Sequence, residues 1–331
     1  MEFRSLFLGD VEAVPGYWIR WQTFICALVI VVPAVAAAVV AARARAEPLR
    51  AFDLWAPCWA GMHPAWLLAY RGLVSLGMLW LLSRMVLGRG LVAFYFYTQW
   101  TFALVTVYFM IGTIMSAHGC WIYSKTPILH DEEANRVKDT VEQNNPVTIP
   151  FTTKKNKNVV RLQRYCELQA EGKRAGFLGY TMQLVYQTSA GAALLTDLVF
   201  WAVLVPYSSS KYFSINPIMS CMHSLNAVFL LIDTFLNNLP FPWFRMAYFV
   251  FWSCTYVAFQ WILHACGFSW WPYPFLDLDT PWAPLWYLSM ALIHVPCYGL
   301  YWLMIRAKNS LCPKYFPNSF IKIQGTKLTT P

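Results

Sequence analysis

The sequence predicts an all-α fold, a polytopic membrane helix bundle of about seven transmembrane helices. Three observations carry that expectation. The 331 residues are 58% hydrophobic and 12% charged, against the roughly 25% charge of a soluble domain. The 17 Trp, 18 Tyr and 23 Phe suit aromatic belts at membrane–water interfaces. The apolar residues also gather into runs of about 20, the length that crosses a hydrocarbon core.

Seven such runs follow in order: 23–42, 64–83, 92–116, 180–205, 217–236, 246–266 and 283–305. The segment ahead of the first is mixed and contains Glu2, Asp10 and Glu12, which argues against a cleavable signal peptide. Arg71 is the one basic residue inside a run. It lies about two turns into the second, so its side chain is expected to snorkel to the interface. Between the third and fourth runs lies the one sizeable polar segment, 118–179. Asn144-Asn145-Pro146 and Lys154-Lys155-Asn156-Lys157 read there as flexible loop. Residues 159–170 read either as a short helix on anionic lipid or as solvated loop. The nine Cys have no C-x-x-C or metal-ligand spacing and read as small buried hydrophobes. No internal repeat of the transporter kind is visible.

The net charge of +9 is unevenly placed. Outside the runs, 19 Lys and Arg fall in the first, third and fifth connections and the C-terminal tail. Only 5 fall at the N-terminus and in the second, fourth and sixth connections. The positive-inside rule then puts the N-terminus outside and the C-terminus in the cytoplasm.

Polar side chains in a span tend to face the bundle interior. In the fifth run His223, Asn226, Leu230, Asp233 and Asn237 share one helical face. The fourth carries a similar stripe: Gln183, Gln187, Ala190, Leu194 and Asp197. The third offers Thr98 and Thr101 beside Gln99 and Trp100. His294 sits mid-run in the seventh, and Gln260 and His264 end the sixth. With the orientation above, Thr98 and His223 each lie about 6 residues below the outer face, roughly 9 Å. Asp197 shares that layer. Asp233, Asn237 and His118 fall near the inner face.

A hydroxyl and an imidazole meeting in an apolar wall suit acyl transfer. His223 would take the proton of Thr98, whose oxygen would attack a carbonyl. Gln99, Asn226 and the Trp100 N–H are candidates to stabilise the oxyanion, and Asp197 to orient His223. The competing reading is interhelical hydrogen bonding. A span threonine often only bonds the carbonyl of its own preceding turn, and Asn or His often bridges helices. A transporter path and a seven-helix receptor are further alternatives. Against the receptor, there is no Asp/Glu-Arg-Tyr element after the third run and no Asn-Pro-x-x-Tyr in the seventh.

Four elements resemble the androgen-induced and androgen-dependent membrane protein family. Tyr97-Thr98-Gln99-Trp100 is similar to its Tyr–apolar–Thr opening of a span. Val199-Phe200-Trp201 closes the next span as it does there. Met222-His223-Ser224 with Asp233 resembles its Met-His-Thr stretch followed by a Glu ten residues on. Ser269-Trp270-Trp271-Pro272-Tyr273-Pro274-Phe275-Leu276-Asp277 resembles its Trp-x-Tyr-Pro-Phe-Leu-Glu loop. The order and spacing agree over some two-thirds of the chain. Insect rolling-stone and plant transmembrane proteins resemble the same broad group.

The resemblance implies six family helices and hydrolysis of fatty acid esters of hydroxy fatty acids. It puts the nucleophile on Thr98 and the base on His223, with no metal or organic cofactor. The 23–42 span and the long third connection depart from it, and Asp197 stands where the family has apolar residues. The expected organisation is therefore an N-terminal segment, 1–63, carrying the extra span. A six-helix domain, 64–305, follows with a cytoplasmic loop at 119–179, and then a basic cytoplasmic tail, 306–331. The expected partners are a lipid substrate and membrane lipids, not nucleic acid, in the endoplasmic reticulum or plasma membrane. The alternative function is non-enzymatic adhesion or fusion of the rolling-stone type.

Overall fold

The computed structural model describes residues 17–44, 48–125, 174–208, 217–268, 270–317 and 319–320. Among these, all regular structure is helical. We number the long helices α1 (Trp21–Arg43), α2 (Pro64–Arg89), α3 (Tyr97–Lys125), α4 (Phe177–Val199), α5 (Pro217–Leu236), α6 (Met246–Ala265) and α7 (Ala283–Tyr315). Six segments are long and apolar enough to cross a membrane: Trp21–Arg43, Pro64–Tyr95, Tyr97–Lys125, Phe177–Leu204, Trp243–Ala265 and Ala283–Tyr315. The part of α5 from Met222 is a shorter apolar helix. The candidate helix at 159–170 lies outside the described residues.

The ends differ from the hydropathy reading for local reasons. α2 stops at Gly90, whose φ of 66° suits glycine. A 3-10 turn, Gly90–Tyr95, follows before α3 begins. Hydropathy does not separate that turn from a helix, so the third span reads five residues early. At their other ends α3 and α7 run on to Lys125 and Tyr315, well past the apolar runs. The loop and tail expected from 119 and 306 therefore begin as helix.

α4 is the centre of the bundle and packs against α3, α5, α6 and α7, while α2 pairs with α3. Small residues make this possible, because inside a bilayer close backbone approach replaces the hydrophobic effect as the driving force. Residues 189–193 are Ser-Ala-Gly-Ala-Ala, and all five are buried. A Cβ on Gly191 would lie 2.6 Å from the Phe249 ring of α6. Gly191→Ala is expected to cost about 1–3 kcal/mol through overpacking. A melting temperature in detergent equal to wild type would refute that tight seam.

The polar stripe of α5 faces inward throughout: His223, Asn226, Leu230, Asp233 and Asn237 are all buried. At one end that of α4 binds the connection between α5 and α6. The amides of Gln183 and Gln187 donate to the Pro240 carbonyl at 3.1 and 2.7 Å.

Arg71 does not snorkel; it is fully buried. Its Nε and Nη2 donate to the two Asp233 carboxylate oxygens at 2.8 and 3.2 Å. Its Nη1 donates to the Leu54 carbonyl at 2.8 Å and to Ser116 Oγ at 2.9 Å. Asp233 also accepts from the Tyr108 hydroxyl and, at 2.6 Å, from the Asn237 amide. The inward partner offered by α5 explains the difference from the sequence expectation. Nearby, Lys308 donates to the Thr234 and Asn237 carbonyls at 2.7 Å each, closing the C-terminus of α5. This polar knot takes Tyr108 and Ser116 from the middle of α3 and Asp233 from the last turn of α5. Thr98 and His223 sit where those helices begin.

Candidate functional site

Thr98 is the second residue of α3. The chain enters the helix in a fixed path, because the Tyr95 carbonyl accepts from the Tyr256 hydroxyl at 2.9 Å and from the Gln260 amide at 2.7 Å. Across from it, α5 presents His223. Thr98 Oγ1 and His223 Nε2 are 3.5 Å apart, and both residues are buried. The imidazole lies flat on Phe200, with ring centroids 3.8 Å apart at an interplanar angle of 7°. Phe200 opens a π-helical turn, Phe200–Leu204, at the end of α4. Such turns re-aim side chains and concentrate at functional sites.

The two residues open onto a cavity of about 140 Å³. Its wall is mostly apolar and draws on α1 (Val29, Ile30, Pro33), α4 (Leu195, Val199), α6 (Val250, Val257) and α7 (Met290, Ala291). The connection between α6 and α7 folds back to supply Tyr273, Phe275 and Leu276. It is held there by the Tyr95 hydroxyl on the Trp270 carbonyl and the Tyr287 hydroxyl on the Leu276 carbonyl, the latter at 3.0 Å. An ion pair between Arg20 and Asp279 ties the same connection to the start of α1.

Tyr273 matters most in that connection. Burial pushes its phenol above the ordinary value. Hydrogen bonding to the Thr98 side chain and to the Thr98 and Tyr97 backbone works in the opposite direction. Tyr273 lines the cavity together with Tyr97 and Thr98. Sequence reasoning marked Tyr97 and Tyr273 as parts of motifs, not as cavity groups.

The other sequence candidates have different places. Gln99 and Asn226 are buried but outside the cavity lining, and the Gln99 Oε1 and both Asn226 amide atoms have no hydrogen-bond partner among the described residues. The Trp100 indole donates to the Phe94 carbonyl at 2.7 Å, which occupies it. Asp197 makes no hydrogen bond to His223, whose Nδ1 has no partner among the described residues. Ser253 and His294, from α6 and α7, do line the cavity. His294 stood out in the sequence, whereas Ser253 sits in an apolar run with no polar stripe to mark it. Among the described residues there is no group of three or more His, Cys, Asp or Glu placed to hold a metal ion.

Other hydroxyls in these helices behave differently from Thr98. Thr106, Thr113, Thr188, Thr196 and Thr255 each donate to the carbonyl four residues back, at 2.7 to 2.9 Å. Thr98 instead meets an imidazole. Comparison with protein-family models, curated proteins and solved structures finds no match.

Proposed function

We propose that this chain is an intramembrane lipid ester hydrolase with Thr98 as nucleophile and His223 as base. The observation that supports it is the Thr98 hydroxyl facing His223 Nε2 in a largely apolar cavity. In the mechanism, His223 takes the Thr98 proton as Oγ1 attacks the ester carbonyl. His223 then gives that proton to the departing alkoxide. Water hydrolyses the acyl-threonine, again with His223 as base. A separation of 3.5 Å is at the long end for a hydrogen bond, and such contacts tighten when substrate is bound. Tyr273, whose phenol lines the cavity together with Thr98, is the proposed oxyanion donor. The dyad works without Asp197. The proposed substrates are fatty acid esters of hydroxy fatty acids or similar lipids, in keeping with the family resemblance.

The test uses purified full-length protein and a palmitate ester of a hydroxystearic acid. Wild type is expected to release the hydroxy acid, and Thr98→Val, which keeps the shape but loses the hydroxyl, is expected to release it at least about a thousandfold more slowly. Turnover near the wild-type rate by a folded Thr98→Val protein would remove the mechanism. Absence of turnover and of fluorophosphonate labelling in wild type would favour the adhesion or fusion reading.

The same proposal takes α5 as a seventh crossing, with the N-terminus outside and the C-terminus cytoplasmic. Epitope tags at the two ends are then expected on opposite faces of sealed vesicles. Tags on one face would mean an even number of crossings and would overturn this topology.

A further inference from the structure

We propose that Ser253 of α6 and His294 of α7 form a second nucleophile–base pair on the same cavity, able to carry an acyl group. The inference rests on the proposed hydrolase reading only for the class of substrate; its geometry is independent of Thr98 and His223.

The pair is closer than the first. Ser253 Oγ and His294 Nε2 are 2.7 Å apart. The tautomer follows from the partners. His294 Nδ1 lies 2.7 Å from the Met290 carbonyl, and a carbonyl only accepts, so Nδ1 carries the proton. In the neutral ring Nε2 is then an acceptor, and the Ser253 hydroxyl donates to it. A backbone carbonyl thus fixes the imidazole as the carboxylate of a hydrolase triad does. The Phe249 ring packs on the same imidazole, with centroids 4.5 Å apart.

A third group settles the direction of the serine proton. The Tyr97 hydroxyl lies 2.9 Å from Ser253 Oγ. Because the Ser253 hydroxyl already donates to His294, Tyr97 is the donor in that contact. The chain runs from Tyr97 to Ser253 to His294 to the Met290 carbonyl, with every proton assigned. A serine used only as a helix surface group bonds its own preceding turn, as Ser83 does to the Leu79 carbonyl at 2.8 Å. Ser253 instead has its oxygen in the cavity wall together with Tyr97 and His294.

The chemistry balances without any added reactant but water, and this route supplies at most the residual turnover, about a thousandth of wild type, expected of the Thr98 variants. Ser253 Oγ bonds to the ester carbonyl carbon as its proton moves to His294 Nε2. The ester C–O bond breaks, and the alkoxide leaves with that proton. Water then attacks the acyl-serine, His294 takes a proton from it, and Ser253 Oγ recovers it as the acid departs. Nδ1–H stays on the Met290 carbonyl throughout. Two acyl-accepting hydroxyls on one cavity would also permit transfer of the acyl group to a second alcohol.

The decisive experiment maps the adduct left by a fluorophosphonate probe on the full-length protein in detergent, by tandem mass spectrometry. The expected result is an adduct on Ser253 in wild type, retained in Thr98→Ala and lost in Ser253→Ala. His294→Gln can keep a hydrogen bond to Ser253 but cannot take its proton, so it is expected to slow labelling there by about a hundredfold or more. Adduct on Thr98 alone, with none on Ser253 even in Thr98→Ala, would overturn this inference and leave the Thr98 mechanism standing. Adduct on Ser253 alone would support it and remove the Thr98 mechanism. No adduct anywhere on folded wild type would overturn both. Because the wild-type adduct decides the question, a variant that fails to fold does not.

Discussion

Asp233→Ala is expected to cost about 3–5 kcal/mol of stability, the largest single loss in the bundle. The reason is what the change leaves behind. Arg71 is fully buried, and two of its guanidinium nitrogens have Asp233 as their acceptor. Without that carboxylate a cation is left uncompensated in a low-dielectric interior, and the Tyr108 hydroxyl and Asn237 amide lose their acceptor too. Arg71→Leu should be comparably harmful, because it strands the carboxylate instead. Combining Arg71→Leu with Asp233→Leu removes both charges, and buried pairs replaced by apolar residues are often close to neutral. The double variant should therefore recover much of what either single variant loses. Unfolding in detergent, followed by tryptophan fluorescence, would measure all three. Single variants that melt with wild type would show that the network contributes little.

The second large effect concerns rate. Thr98→Ala and His223→Ala are each expected to lower turnover of the lipid ester by at least about a thousandfold, and the double variant no further. A nucleophile and its base act as a unit, so removing either removes the proton transfer that both perform. Thr98→Ser should retain activity, since it keeps the hydroxyl. Losses that multiply in the double variant would mean that the two residues serve separate steps, or only packing. The polar knot around Arg71 gives a useful contrast. Its variants should change stability without this pattern in the rate, because Tyr108 and Asp233 lie ten residues further along α3 and α5 than Thr98 and His223, roughly 15 Å away.

Helix positions were largely legible in the sequence because hydropathy reports directly on apolar length. The start of α3 was not. A 3-10 turn with the composition Gly-Leu-Val-Ala-Phe-Tyr has the hydropathy of a span. Thr98 thereby read as six residues deep, whereas it is the second residue of α3. The inward face of α5 was legible because polar residues at i, i+3, i+10 and i+14 (His223, Asn226, Asp233 and Asn237) leave little alternative in an apolar run. The fate of each polar group was not, since it depends on which helix lies opposite. Arg71 reads alone as a side chain seeking the interface; only the arrangement of α2 beside α5 gives it Asp233. Ser253 and His294 are 41 positions apart, with nothing in either run to announce the other. Tyr273 was visible as part of an aromatic loop, but the fold-back that brings it to Thr98 is a tertiary event.

The cavity wall takes residues from Val29 near one end of the described chain to His294 near the other. During synthesis the hydroxyls and imidazoles would emerge one helix at a time, with α7 last. Tyr287, Met290, Ala291 and His294 all belong to α7. A partly made chain thus has Thr98 and His223 but neither His294 nor the enclosure that α7 completes. Under the proposed hydrolase function, assembly itself would act as the on-switch, keeping a nascent chain harmless to the lipids around it until its final helix docks.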